Sequence, residues 1–319
     1  MTYDCVIVGG GPAGLSAALM LGRCLRRVLL CDAGDPRNAR SQGIHGYLTR
    51  DGTSPADFHR LAREELLRYA TVERRDATAT DAKAVDGGFR VLLDGGEAVT
   101  ARKLLLATGV VDEMPALDGL DQLYGTSVHH CPYCDAWEWR GQPLAVHGPG
   151  DAGVGLALAL TCWSPDVVLC TDGPARLSAE DRRRLALGGV AVREDPMRRL
   201  EGRDGCLERI VFAAGPPLAR RALFFAAGQR QRSPLAERLG CRFTEKGAVN
   251  TGSCEATNVP GLYVAGDASK EAQFVVVAAA EGTEAGMAIH RALAAEDLRA
   301  ADAGEPGHRP APRAIPYSV

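Results

Sequence analysis

Two units of strand, glycine turn and helix, at residues 3–24 and 143–161, predict an α/β fold made of two Rossmann-like dinucleotide-binding domains. A length of 319 residues with 46% hydrophobic content is enough for two compact domains, each with a core that stands without cross-links.

In the first unit, Tyr3-Asp4-Cys5-Val6-Ile7-Val8 is a short apolar run rich in β-branched residues and reads as a strand. Gly9-Gly10-Gly11-Pro12-Ala13-Gly14 follows, and the Ala/Leu-rich stretch from Leu15 to about Cys24 has helical character. Gly9 permits a tight turn, Gly11 lets the backbone approach a pyrophosphate, and Gly14 lets helix and strand pack closely while the helix N-terminus faces the negative charge. The next strand, 27–31, ends in Asp32, where a ribose hydroxyl needs an acceptor. The same carboxylate would also serve as a turn cap.

The second unit repeats the pattern. Pro143 to His147 enters Gly148-Pro149-Gly150-Asp151-Ala152-Gly153, and 154–161 is helical in character. Its second strand, 166–171, ends in Asp172-Gly173-Pro174, with no arginine at the tip to neutralise a 2′-phosphate. This site is ill-suited to NADP, although Asp172 remains an acceptor for an NAD ribose. Arg182, Arg183 and Arg184 on the following helix read as a solvated face.

Three more segments end strands or open helices, where backbone groups can meet a cofactor: 104–109 with Thr108 and Gly109, 262–268 with Gly266 and Asp267, and 273–281.

Residues 129–139 read HHCPYCDAWEW. Cys131 and Cys134, with His129 and His130, offer four metal ligands, but adjacent histidines converge poorly and no second CxxC supplies the other knuckle, so no metal is assigned. A structural bridge over so few residues constrains little chain entropy. Electron transfer remains, because a CxxC pair lowers a thiol pKa and supports reversible dithiol-disulfide exchange. Asp135 is either a proton relay beside the sulfurs or a helix N-cap. His130 and His129 are either bases toward a bound dithiol or satisfied structural donors. Tyr133, Trp137 and Trp139 suggest an apolar wall, unless the tryptophans are core residues.

The remaining composition excludes other classes. With 37 basic against 40 acidic side chains and no dense basic run, nucleic acid is not an expected partner. No leader-like start and no apolar run of roughly 18 residues is present, so the expectation is no membrane span and a cytoplasmic protein. Of ten cysteines, the eight outside CPYC are scattered, mostly in apolar runs, and read as reduced packing residues. Residues 301–319 carry four prolines and few large apolar side chains, which predicts a flexible tail.

Taken together, these motifs over about residues 3–298 resemble the low-molecular-weight thioredoxin reductase family. The resemblance implies an FAD-binding domain split into 1–113 and 247–300, interrupted by an NAD(P)-type domain, 114–246, that carries CPYC. By the same likeness, Gly10 to Gly14 and Asp32 would hold the ADP half of FAD. Gly266 and Asp267 would hold its pyrophosphate-ribitol region, and Ala272, Gln273, Phe274 and Val275 a helix start against the flavin ring. Asn38 and His45 would lie in a loop passing over it. Cys134 would face the flavin, Cys131 would exchange with substrate, and Asp135 falls where the family carries its acid-base carboxylate. A homodimer is likewise implied.

CPYC, the weak nicotinamide site and Asp135-Ala136-Trp137 resemble the dithiol oxidase branch, which closes disulfides in natural products such as gliotoxin, holomycin and romidepsin, with the greatest likeness to the romidepsin oxidases. That branch implies a small-molecule dithiol as substrate, O2 as electron acceptor, hydrogen peroxide as product and no nicotinamide requirement. Two alternatives stand beside it: an NAD(P)H-dependent thioredoxin-disulfide reductase and a non-enzymatic flavin-bound redox sensor.

Overall fold

A computed structural model describes residues 2–304. The chain divides into two compact units, one formed by residues up to Arg37, Ala56–Val111 and the chain from Gln231 on, the other by Asn38–Pro55 and Asp112–Arg230.

In the first unit, β1 (Thr2–Val8), α1 (Pro12–Arg23), β2 (Val28–Asp32), α2 (Pro55–Leu66) and β3 (Val72–Asp76) run in order, followed by β4 (Ala79–Val85), β5 (Gly88–Leu93) and β6 (Ala98–Leu106). After the second unit the chain returns through α7 (Leu235–Arg238), β17 (Leu262–Val264) and the long α8 (Val275–Asp302). The sheet order is β3-β2-β1-β6-β5-β4, with β17 beside the second half of β6. β3, β2, β1, β6 and β17 are parallel, while β4 and β5 form an antiparallel extension. Side chains alternate across the pleat. Cys5, Ile7, Leu30 and Leu105 meet α1 and α8 on one face, whereas Val6, Leu29 and Leu104 join Phe89 and Leu235 on the other.

The second unit begins within β7 (Val110–Glu113) and ends within β16 (Gly228–Gln231). Between them lie α3 (Leu120–Leu123), β8 (Val128–His129), α4 (Pro132–Asp135), β9 (Leu144–His147), α5 (Gly150–Leu160) and β10 (Val167–Cys170). Then come α6 (Ala179–Leu187), β11 (Ala191–Arg193), β12 (Met197–Arg203), β13 (Cys206–Phe212), β14 (Leu218–Ala219) and β15 (Ala222–Phe225). Parallel strands form the order β11-β10-β9-β15-β8, and β12-β13-β14 make a separate antiparallel sheet. Both units thus carry a parallel sheet with the glycine turn at the C-terminal end of its first core strand, as an α/β fold requires.

The division differs from the expected one in two places. Residues 38–55 group with the second unit, where Arg40 pairs with Asp121 at 2.5 Å and His45 Nε2 lies 3.7 Å from Glu138. Residues 231–246 group with the first, because Leu235 and Ala236 bury into its core. Helix α8 continues to Asp302, past the expected limit, and the tail expected beyond it lies from residue 305 outside the described residues.

The cysteines expected to pack do so only in part. All eight are free, and Cys5, Cys31, Cys170 and Cys241 are buried, but Cys162, Cys206 and Cys254 are exposed. Cys206 shows why: it opens a strand with one face to solvent, so a position within an apolar run need not point inward.

Candidate active site and cofactor cradles

The first glycine turn is sterically committed. Gly9 has φ of +114°, and a Cβ there would stand 2.2 Å from the carbonyl oxygen of Ala107. A Cβ at Gly14 would stand 1.9 Å from the carbonyl of Gly9, so only glycine lets α1 leave the turn this closely. Gly11 is the N-cap of α1 with open space around it and Pro12 at the first helical position, and no side chain caps the helix N-terminus.

Asp32 ends β2 and is buried. It accepts from Gly34 N at 2.9 Å and from Arg63 Nη2 at 2.8 Å. His59, one turn before Arg63 on α2, is 6% exposed, yet neither ring nitrogen has a hydrogen bond; Nε of Arg63 is likewise buried without one, and Nε of Arg74 has only an ion pair with Asp32 at 3.7 Å. Burial, then the charge of Arg63, lowers the His59 pKa, with Asp32 opposing. Unsatisfied buried donors and acceptors around a carboxylate are costly in an empty apolar space and fit a polar ligand such as a ribose with its base.

The other end of this cradle gathers Gly266, Asp267 and the start of α8. Arg37 donates to Asp267 Oδ2 at 2.8 Å and to Gln273 Oε1 at 2.7 Å, binding two segments 230 and 236 residues away in sequence. Ala272, Gln273 and Phe274 lead into α8, whose first residue is Val275 and whose N-cap, Phe274, offers no side-chain bond. The N–H of Gly266 donates to Glu281 Oε2 at 2.7 Å. Glu281 is 6% exposed, and burial above all pushes its pKa up to about 7. Thr108 and Gly109 follow β6 in the same unit, whereas Asn38 and His45 belong to the segment held by the second unit.

The redox pair sits in that second unit. Cys131 and Cys134 form a disulfide with Cα atoms 5.3 Å apart, spanning the single turn α4. Cys131 is its N-cap, its sulfur accepting from Cys134 N at 3.1 Å, so Asp135 closes the turn rather than capping its start. The two histidines part company at the end of β8, where His129 is the last strand residue and His130 begins the bend into α4. His129 is buried against Phe224, with Nδ1 3.4 Å from Asp135 Oδ1 and Nε2 accepting from Trp139 Nε1 at 3.0 Å. His130 turns instead to Tyr124, its Nδ1 3.0 Å from the phenol oxygen, and to Phe225. The histidine brought to Asp135 is therefore His129, while His130 is directed to Tyr124. Of the tryptophans, Trp139 packs on the core, while Trp137 is 62% exposed under the Arg140 guanidinium and Tyr133 is 68% exposed. Among the described residues no group of three or more His, Cys, Asp and Glu is placed to hold a metal.

The second glycine turn is equally tight, a Cβ at Gly153 standing 2.0 Å from the Gly148 carbonyl, and α5 has no side-chain N-cap. At the end of its second strand, Asp172 Oδ1 takes the Met197 N–H at 2.6 Å, and Oδ2 lies 3.8 Å from His147 Nε2. Arg183 and Arg184 pair with Glu180 and Asp181 one turn back on α6, and Arg182 lies 3.9 Å from Glu194.

Residues 3–282 match the family model described as pyridine nucleotide-disulphide oxidoreductase. The chain belongs to the pyridine nucleotide-disulphide oxidoreductase family. Within it, the chain is 32% identical to a probable thioredoxin reductase of Arthroderma benhamiae over 94% of this chain and 82% of that protein. It is also 32% identical to thioredoxin reductase tcpT of Claviceps purpurea, over 92% and 95%. The crystal structure of HlmI superposes with a TM-score of 0.91 at 36% identity, covering 95% of this chain and 96% of that one.

As a pyridine nucleotide-disulphide oxidoreductase of thioredoxin reductase-like type, the protein is a flavin-dependent disulfide oxidoreductase. The first cradle fits a flavin nucleotide: open helix N-termini at α1 and α8, Asp32, and orphaned polar atoms on His59 and Arg63. Sequence reasoning missed Arg37, His59 and Arg63, and read Trp139 as wall or core without its hydrogen bond to His129. For Arg37, a hydrogen bond reaching across 230 residues leaves no local signal.

Proposed function

We propose that this protein is an FAD-dependent dithiol oxidase that closes an intramolecular disulfide in a small-molecule dithiol, with O2 as acceptor, hydrogen peroxide as product and no need of NADPH. The observation that carries this reading is Asp172. Asp172 puts a carboxylate at the strand end where a 2′-phosphate would need a cation, it is held there by the Met197 N–H, and Arg183 and Arg184 of the neighbouring α6 pair with Glu180 and Asp181 of their own helix, so none of these favours a 2′-phosphate at the second glycine turn. The first unit keeps the glycine turn, Asp32 and Arg37 that would hold a flavin nucleotide.

The exchange uses this chain's own sulfurs. One substrate thiol gives its proton to Asp135, and its sulfur attacks Cys131 Sγ as the Cys131–Cys134 bond breaks and Cys134 leaves as thiolate. The second substrate thiol then attacks the substrate sulfur of the mixed disulfide, its S–H bond breaking as its proton passes to the departing Cys131 sulfur, which leaves as a thiol. Substrate leaves as a disulfide, and its two electrons reside on the cysteine pair. A flavin held in the first cradle would supply the two-electron acceptor for that pair and its outlet to O2.

The names of the relatives favour a second reading, an NAD(P)H-dependent thioredoxin reductase. Anaerobic addition of NADPH, NADH or a small dithiol to the yellow protein separates the two. Bleaching of the flavin band by dithiol alone, reversed by air with peroxide formed, supports the oxidase; rapid bleaching by NADPH sinks it.

A further inference from the structure

We propose that Trp139 and His129 are positioning residues: the Trp139 indole N–H fixes the tautomer of His129 so that His129 presents Nδ1–H to Asp135, holding that carboxylate ready for the proton of the incoming thiol. The inference rests on the oxidase reading for its chemistry, and on geometry alone for the tautomer.

An indole nitrogen can only donate, so at 3.0 Å from Trp139 Nε1 the Nε2 of His129 must be the acceptor. A neutral imidazole carries one proton, which therefore sits on Nδ1. That nitrogen lies 3.4 Å from Asp135 Oδ1. Three features keep the ring from escaping this arrangement. His129 is 5% exposed, the Phe224 ring lies 5.3 Å from its centroid, and β8 pairs with β15 at the Phe224–His129 position. Trp139 is itself held by packing on the cluster that contains Val146 and Phe224, and by its backbone bond to the Ala136 carbonyl at 3.2 Å.

The wiring suits a proton relay. Asp135 directly follows Cys134, so the base is fixed to the same turn as the sulfurs, and a buried donor behind it sets which way the carboxylate points. In the exchange, the substrate S–H bond breaks, the proton goes to Asp135, and the sulfur keeps its electron pair for attack on Cys131. His129 keeps its own proton throughout. A phenylalanine at 139 retains the aromatic packing and removes only the donor, which leaves His129 free to populate the Nε2–H form.

The test uses flavin-loaded protein labelled with 15N-histidine, as wild type and as W139F, with H129N to identify the His129 signals. The expected result is an Nδ1–H signature in wild type that is lost in W139F. The dithiol-oxidation kcat should fall between about tenfold and a hundredfold with KM little changed, less than the full worth of a general base. Its pH profile should also shift. In a D135N background, W139F should add nothing, because its effect passes through Asp135. An unchanged tautomer in W139F, or additive effects with D135N, overturns the inference. A wild type that fails to oxidise dithiols counts against the oxidase reading alone, and the nitrogen spectrum still decides the tautomer.

Discussion

Glu281 accepts the Gly266 N–H at 2.7 Å, tying the second turn of α8 to the loop after β17. Burial first, with Glu255 and Asp267 adding to it, raises the carboxyl from its ordinary 4.5 to about 7, while the Gly266 bond and Lys270 pull the other way. A raised acid binds its proton more tightly in the folded state, so its contribution to stability is complete below about pH 4.5 and is lost as pH climbs through about 7. E281Q keeps an acceptor for Gly266 and cannot ionise. The urea-unfolding free energy of E281Q relative to wild type should therefore rise between pH 5 and 8, by at most about 3 kcal/mol. A difference that stays flat across that range refutes the assignment.

Arg37 holds Asp267 and Gln273 together, with its own side chain and that of Asp267 largely buried. Replacing it by methionine leaves a carboxylate without its charge partner where two segments of the cradle meet. Losing charge-assisted bonds of about 1.5–3 kcal/mol should weaken flavin binding by roughly tenfold to a hundredfold in fluorescence titration. Lysine, a point charge without the guanidinium fork, should recover only part of it. Wild-type affinity in R37M would remove Arg37 from the cradle.

How much of this could be read beforehand follows the range of the forces involved. Gly9, Gly14 and Asp32 were legible because turn, close approach and acceptor occur within one βαβ unit and leave a fixed spacing. Cys131 and Cys134 were legible for the same reason. The choice between His129 and His130 was not, since it depends on where β8 ends and which way His129 faces, and that is set by its pairing with Phe224 of β15, far along the chain. The placing of residues 38–55 with the second unit depends on contacts such as Arg40 with Asp121, again distant in sequence.

Thiol labelling checks the cysteine distribution. Burial pushes the pKa of Cys31 and of Cys170 up to about 12 and raises that of Cys5, and only a thiolate attacks an aromatic disulfide reagent. At pH 8 without reductant, the three exposed thiols, Cys162, Cys206 and Cys254, should react in the fast phase. Denaturant should then bring the total to all eight free thiols. Half-buried Cys24 can add one more, so a fast phase larger than four would mean that the cores around the buried cysteines open readily.

Substitution of either redox cysteine separates exchange chemistry from cofactor binding. C131S and C134S each leave one sulfur and no bond for a substrate thiol to break, so dithiol-driven oxygen consumption should fall to the background of free flavin. The glycine turn, Asp32, Arg37 and the start of α8 all lie in the other unit, so both variants should purify yellow with unchanged flavin content. An apolar dithiol would meet Tyr133 and Trp137, which the serines do not touch, so substrate binding should also persist. Oxygen electrode traces and the flavin spectrum together read both properties. Full turnover in either variant would mean that the disulfide is not the electron entry point and that substrate reacts with the flavin directly. Loss of the yellow colour would instead mean that the turn around α4 supports the cofactor.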